Sequence, residues 1–263
     1  MQAPIVLKLG GSAITDKSKV CTPRLGLIQR AADEITSYRG ALVLLHGGGS
    51  YAHPFATKSR VGNRFRGKSQ LPFVSEIEIN LDQLTRIIGV ALLQRGRPFV
   101  PLQPMSFLTM RDGNIHASFL EPLKAALKAG LTPIIHGDLA FDEAGGCSII
   151  SADRIASLIG RELRVSKVLF GCDVDGIYDS DPKRNPGGSV IAEITRANYS
   201  KVLGSMSVER LDATGGMRGK VVEALRLARG GIESFIFNLD PPTNLRALLL
   251  GSSTIGTRFV PWK

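Results

Sequence analysis

Apolar and polar positions along the chain fall into a repeating order: a stretch with helical spacing, then glycine, then a short continuous apolar run. Gly40 stands before Ala41-Leu42-Val43-Leu44-Leu45, Gly96 before Pro98-Phe99-Val100-Pro101-Leu102, Gly130 before Pro133-Ile134-Ile135, and Gly230-Gly231 before Ser234-Phe235-Ile236-Phe237. Glycine just past a helix permits the left-handed turn that ends it, and an unbroken apolar run suits a strand covered on both faces. The order predicts an α/β protein with a mainly parallel sheet. Further strands are expected at residues 4–9 and 167–171, and helices at 25–37, 75–94, 118–128, 152–161 and 219–229. Asp112-Gly113 marks a hairpin within 105–116 and residues 142–146 form a similar turn, so two hairpins are expected as a lid over the sheet edge. Residues 179–188, rich in Asp, Pro, Asn and Gly, are the clearest loop, and a division into lobes is expected within 150–166.

Composition places the chain among ordinary globular proteins: 43% of its 263 residues are apolar and 21% charged. No apolar run approaches the roughly 20 residues of a spanning helix, and the opening residues read as a buried strand rather than a secretory leader. Cys21, Cys147 and Cys172 suggest neither a disulfide framework nor a zinc site, so a reducing cytoplasm is expected. The net charge of +10 is compatible with nucleic acid, an acidic surface or an anionic small substrate. Its densest stretch, Lys58, Arg60, Arg64, Arg66 and Lys68, contains Phe65 as its one aromatic, which argues against a stacking platform for single strands.

Glycine-rich stretches carry the candidate chemistry. Lys8-Leu9-Gly10-Gly11-Ser12 ends a strand, where ligands bind in open α/β sheets, and Lys17 follows within reach of the same point. Gly47-Gly48-Gly49-Ser50-Tyr51-Ala52 satisfies the dinucleotide pattern G-x-G-x-x-A, but the expected ribose acid about 20 residues later is missing, which leaves an NADP site as the surviving version. His46 and His53 bracket that loop, and either can donate to an oxyanion or serve as a structural hydrogen-bonding group. Gly215-Gly216-Met217-Arg218-Gly219-Lys220 fails the P-loop test, because Thr214 and Val221 occupy required positions, yet it still offers helix N-terminal amides and a lysine to phosphate. Asp173-Val174-Asp175-Gly176 follows a strand and turns sharply at its glycine. G-x-S-x-G and H-E-x-x-H do not occur.

In this order the motifs resemble the amino acid kinase superfamily, and within it the branch holding isopentenyl phosphate and fosfomycin kinases. The matching blocks are Lys8 through Lys17, His46 through Ala56, His136-Gly137-Asp138, Ser148 through Asp153, Gly171 through Tyr178 with Asp181-Pro182-Lys183, Asp212 through Lys220, and Gly256-Thr257-Arg258. His53 is the narrower marker of the branch. The resemblance implies a three-layer αβα sandwich, an acceptor-phosphate lobe over 1–160, a nucleotide-binding lobe over 161–263, and a homodimer. It implies ATP and Mg²⁺ as cofactors, a small phosphorylated substrate, and no nucleic-acid or membrane partner.

Carried over by resemblance, Lys8, Gly10, Gly11, Ser12, Gly49, Gly216 and Lys220 contact the nucleotide phosphates, and Asp173, Gly176 and Tyr178 line the nucleotide pocket. Lys17 stabilises the transferring group, Asp153 orients the lysines, and Gly48, Gly49, His53 and Gly137 seat the acceptor phosphate. No residue is implied as a metal ligand. Ala52 and Ala152 stand where the family has glycine. An acceptor that is itself a phosphate monoester is already anionic near neutral pH, so no general base is required. An apolar tail pocket is expected from Phe73, Val74, Ile77, Ile79, Met105, Phe107 and Leu108. Rival readings are a fosfomycin-type or other small phosphate or phosphonate kinase, an NADP-dependent oxidoreductase, and a non-catalytic nucleotide or nucleic-acid binder.

Overall fold

A computed structural model describes residues 3–59, 67–180, 188–206 and 216–262. Each apolar run becomes a strand: β1 (Ile5–Leu9), β2 (Leu42–His46), β3 (Phe99–Pro101), then the hairpin strands β4 (Leu108–Arg111) and β5 (Asn114–Ser118), and β6 (Thr132–His136). A second hairpin, β7 (Asp138–Phe141) and β8 (Cys147–Ile150), precedes β9 (Lys167–Cys172), β10 (Glu193–Ile194), β11 (Glu233–Asn238) and β12 (Thr257–Phe259). The helices are α1 (Gly11–Ile14), α2 (Leu25–Ser37), α3 (His53–Ser59), α4 (Leu71–Leu93), α5 (Glu121–Lys128), α6 (Ala152–Glu162), α7 (Tyr199–Ser205), α8 (Gly216–Arg229) and α9 (Asn244–Leu249). Two helices start away from their expected positions because proline sits in the first turn, where its missing N–H costs nothing: Pro72 opens α4 and Pro122 opens α5.

The main sheet runs β10-β12-β11-β9-β1-β2-β6-β3. Its pairings are parallel apart from β11 with β12. Alternation along each strand divides the core into two layers. Val6, Val43, Leu45, Val168 and Phe170 face α6 and α8, while Ile5, Leu7, Leu42, Leu44 and Leu169 face α2, α4 and α9. A third, smaller cluster joins Ile77 and Leu81 of α4 to Leu139 and Cys147, with Phe55, Ala56, Phe73, Val74, Met105 and Ile149 packed on it.

The two hairpins stand outside the main sheet and are fastened to each other. Asp142 accepts the N–H groups of Asp112 at 3.0 Å, Gly113 at 2.8 Å and Ala144 at 3.0 Å, together with the Ser148 hydroxyl at 2.5 Å. Led by the Ser148 bond, these donors hold the Asp142 carboxyl at about 2. On the other side, Arg154 Nη1 donates to Gly113 O at 2.8 Å, so the β4–β5 tip is gripped at both its amides and its carbonyl.

Asp142→Ala therefore strands several donors at once and is expected to cost about 2–4 kcal/mol in denaturant unfolding. Because the folded carboxyl titrates low, the wild-type contribution is complete above about pH 4 and fades as pH falls toward 2. A variant that unfolds at the wild-type midpoint would dismiss Asp142 as the tie between the hairpins.

Candidate active site

Strand parity decides which side chains can meet. Lys8 shares the face of Val6, pointing toward α6 and α8, and lies beside Phe170 in the β1–β9 register. Asp153 enters from the first turn of α6, whose N-terminus is capped by Ser151 Oγ accepting Arg154 N–H at 3.2 Å. A carboxylate there is favoured by the positive end of the helix. Lys220 comes from the first turns of α8 and lies over the Phe170 ring at 5.7 Å. The result is a buried triad in which Lys8 Nζ lies 2.9 Å from Asp153 Oδ1 and Lys220 Nζ 2.9 Å from Asp153 Oδ2.

Burial pushes the Asp153 carboxyl upward, but Lys220 and Lys8 outweigh it and hold the group at about 2. Burial likewise dominates Lys8, whose ammonium titrates below the ordinary lysine value. For Lys220 burial also acts downward, but Asp153 with Cys172 and the hydrogen bonds prevails, and its value rises. One carboxylate between two ammonium groups leaves an excess of positive charge in a largely dry site, which suits an anionic group arriving beside it.

Two glycine loops close over this centre by backbone-to-backbone contact. Gly10 N–H donates to Gly171 O at 2.8 Å, Gly47 N–H to Leu9 O at 2.9 Å, and Gly137 N–H to His46 O at 2.9 Å, stitching the strand exits together. A Cβ on Gly11 would stand 2.4 Å from Gly49 N, and Gly49 itself has φ +50, so neither position admits a side chain without strain. Thr15, which the sequence reading overlooked, fastens the loops: its buried hydroxyl donates to Gly11 O at 2.7 Å and accepts Ser50 N–H at 3.0 Å. Gly47 and Gly49 are thus packed against the first loop. That contact, and the short 3-10 turn Gly49–Tyr51 in place of a full helix, remove the basis for a dinucleotide site. Ala52 fills the space beside Gly48, where a Cβ on residue 48 would lie 2.4 Å from the Ala52 methyl.

The remaining candidates divide into groups. His53 begins α3 just past the second loop and is exposed. His46 is structural: parity turns it toward α4, where Nε2 meets Thr85 Oγ1 at 2.8 Å, and burial pushes its pKa down to about 3. His136, its register partner on β6, is likewise lowered to about 4 by burial. Lys17 is paired not with Asp153 but with Asp173: it lies exposed, 3.5 Å from Asp173 Oδ2, while Ser12 Oγ donates to Asp173 Oδ1 at 3.1 Å. Tyr178 OH donates to Asp175 Oδ2 at 3.3 Å and Asn238 Nδ2 to Asp175 Oδ1 at 2.9 Å, joining the β9 and β11 exits. Gly176 packs against Thr257, whose hydroxyl accepts Ile177 N–H at 2.8 Å. Gly216 opens α8 at φ +52, one turn before Lys220.

Of the expected tail pocket, Phe73, Val74, Ile77 and Met105 do gather in the third cluster, alongside α3. Ile79 is 68% exposed, and Phe107 and Leu108 belong to the α6-side core, so these three are corrected: helical phase and strand parity turn them elsewhere. Arg60, Arg64, Arg66, the Asp181-Pro182-Lys183 block and Asp212 through Gly215 lie outside the described residues.

A buried cationic centre under backbone amides, at strand exits of an αβα sandwich, defines a protein that handles phosphoryl groups. The chain belongs to the amino acid kinase family, which matches residues 3–238. It is 34% identical to isopentenyl phosphate kinase of Methanothermobacter thermautotrophicus, over 97% of this chain and 98% of that protein. It is 32% identical to isopentenyl phosphate kinase of Methanocaldococcus jannaschii, over 94% and 95%. An X-ray structure of isopentenyl phosphate kinase superposes with a TM-score of 0.84 at 32% identity, covering 98% of this chain and 100% of that one. The product complex of the T. acidophilum isopentenyl phosphate kinase superposes with a TM-score of 0.74 at 25% identity, over 97% and 99%.

Asp153→Asn would leave two ammonium groups facing each other in the interior. It is expected to lower unfolding stability by about 3–5 kcal/mol, as loss of one member of a buried pair does. In the wild type this contribution is present above about pH 4 and lost as pH falls toward 2. An asparagine variant as stable as wild type would refute the triad as drawn.

Proposed function

We propose that the protein transfers the terminal phosphoryl group of ATP to isopentenyl phosphate, giving ADP and isopentenyl diphosphate. The observation that carries the reading is the pair of ammonium groups from β1 and α8 on one buried carboxylate. The isopentenyl phosphate kinases that the chain resembles over nearly its full length support the acceptor. Lys8 and Lys220 neutralise the oxygens of the passing group, and the amides of Gly11 and the α8 N-terminus hold the nucleotide phosphates, while Gly10, its own amide bonded to Gly171 O, lets the backbone come close to them. Mg²⁺ enters with the nucleotide and supplies further neutralisation of its phosphate oxygens. Gly48, Gly49 and Gly137 seat the acceptor's phosphate, His53 donates to it, and Lys17 meets the transferring group. The third apolar cluster, next to α3, takes the hydrocarbon tail.

In this reading residues 1–160 form the acceptor lobe and 161–263 the nucleotide lobe, and the enzyme works in the cytoplasm. No helix among the described residues is long and apolar enough to cross a membrane. The active form is a homodimer: α4 exposes Ile79, Val90 and Leu93 along one stripe, a face that a second copy would cover. Leu93→Asp is expected to yield monomers in light scattering, whereas an unchanged mass would exclude this face.

Purified protein mixed with Mg-ATP and isopentenyl phosphate is expected to release ADP and diphosphate product in equal amounts; tight nucleotide binding without turnover would overturn the assignment. His53→Ala is expected to raise the acceptor KM about tenfold or more, the worth of a charge-assisted hydrogen bond, while ATP affinity stays within about twofold. Unaltered acceptor kinetics would remove His53 from the site.

A further inference from the structure

Phosphoryl transfer as proposed above calls on three lysines, yet they do not share one counter-ion. Asp153 is buried with Lys8 and Lys220, one ammonium group beside each oxygen. Lys17 has its own carboxylate, Asp173, and the sheet explains why these two meet. β1 and β9 run parallel with Leu9 opposite Gly171, and Gly10 N–H bonds Gly171 O, so Asp173 leaves its strand level with the Gly11-Ser12 turn. Its Oδ1 accepts the Ser12 hydroxyl at 3.1 Å and its Oδ2 faces Lys17 Nζ at 3.5 Å. One carboxylate thereby spans the first phosphate loop and the lysine beyond it.

We propose that Asp173 is the positioning residue for Lys17, holding the third ammonium group beside the first glycine loop and yielding it to the arriving phosphoryl group. The inference rests on the kinase reading above and gives Asp173 a different task from lining the nucleotide pocket. The contrast with Asp153 is physical. Lys8 and Lys220 are 8% and 7% exposed in their side chains and fixed, whereas Lys17 is 68% exposed and Asp173 40%. A solvent-screened pair is weak and readily exchanged, and a phosphoryl group, carrying more negative charge than one carboxylate, outcompetes it. Partial burial pushes the Asp173 carboxyl upward, but Lys17 and the Ser12 hydroxyl hold it below the usual range, so it stays anionic and able to bind the lysine. The Ser12 bond matters as much as the ion pair, because it fixes the carboxylate to the loop on which the nucleotide's phosphates would rest.

Steady-state kinetics of Asp173→Asn, Lys17→Ala and the double variant separate the roles. Mispositioning of one transition-state contact predicts that D173N lowers kcat about tenfold while both KM values stay within about twofold. The double variant should be no slower than K17A, since the aspartate acts through the lysine, and Asp173→Glu should recover part of the lost kcat. Multiplicative losses, wild-type kcat in D173N, or a raised ATP KM with kcat intact would each overturn the proposal, the last by returning Asp173 to the nucleotide pocket. A second measurement does not depend on turnover: acylation of Lys17 by a water-soluble amine reagent, followed by peptide mass, is expected to run several-fold faster in D173N than in wild type, with Lys19 unchanged as the internal control. Equal Lys17 rates would refute the pairing. If the wild type proves inactive on isopentenyl phosphate while Lys17 labelling still responds, the functional reading fails and the pairing stands.

Discussion

Asp153 divides its two oxygens between an ammonium group from the first strand and one from a helix near the end of the sequence. Placing three charges where water scarcely reaches is expensive, several kcal/mol for each ion after relaxation, and mutual attraction recovers this only with close geometry on both sides. Hydrophobic residues of the same volume would hold the layers together at least as well. The triad is therefore better understood through its charge than through its stability: with Asp153 held ionised, one net positive charge is left on the lysines in the buried site. Parity makes this possible, because Lys8 lies on the α6–α8 face and a one-residue slip of β1 would point it at α2 and α4.

The glycine loops obey a related constraint. Gly11 and Gly49 face each other so closely that their amides belong to one surface, and Thr15 bonds both loops at once. A surface of backbone made this way is close-packed without bulky side chains. Apolar side chains meet the loop at the small cluster between α3, α4 and the β7–β8 hairpin, where Ala52 and Leu81 pack against Gly48, and where Leu139, Cys147 and Ile149 turn away from the main core while Ala140 and Ile150 turn into it. Strand alternation on the β7–β8 hairpin therefore divides this cluster from the main core.

Much of this was legible in the sequence where the signal is local. Apolar runs after glycine marked β2, β3, β6 and β11 to within a residue or two, and Asp112-Gly113 marked the β4–β5 turn. Short elements without their own periodicity, such as α1, α9, β10 and β12, left no such trace, since their existence depends on neighbours rather than on pattern. The same limit applies to side chains. The sequence singled out His53 over His46 for its place after the triple glycine, and the fold shows His46 turned instead toward Thr85. Thr15 and Asp142 are ordinary polar residues in sequence, and their importance comes from backbone groups brought in from distant loops. Ile79 carries the right chemistry for a pocket and the wrong helical phase.

The carboxylates also bear on what kind of acceptor the site can serve. A hydroxyl acceptor needs a base near the transferring group, and a base must have a lone pair to spare and an affinity for protons near working pH. Asp153 fails the second condition, because the ammonium groups beside its oxygens hold its carboxyl at about 2. Asp173 is similarly committed to Ser12 and Lys17 and is held below the usual carboxylate range. His46 is buried and hydrogen-bonded on the other face of the sheet. These side chains can attract and align anions but are poorly placed to remove a proton. A phosphate monoester brings its nucleophilic oxygen already ionised, so such a transfer needs neutralisation of charge and alignment of two phosphates rather than a base.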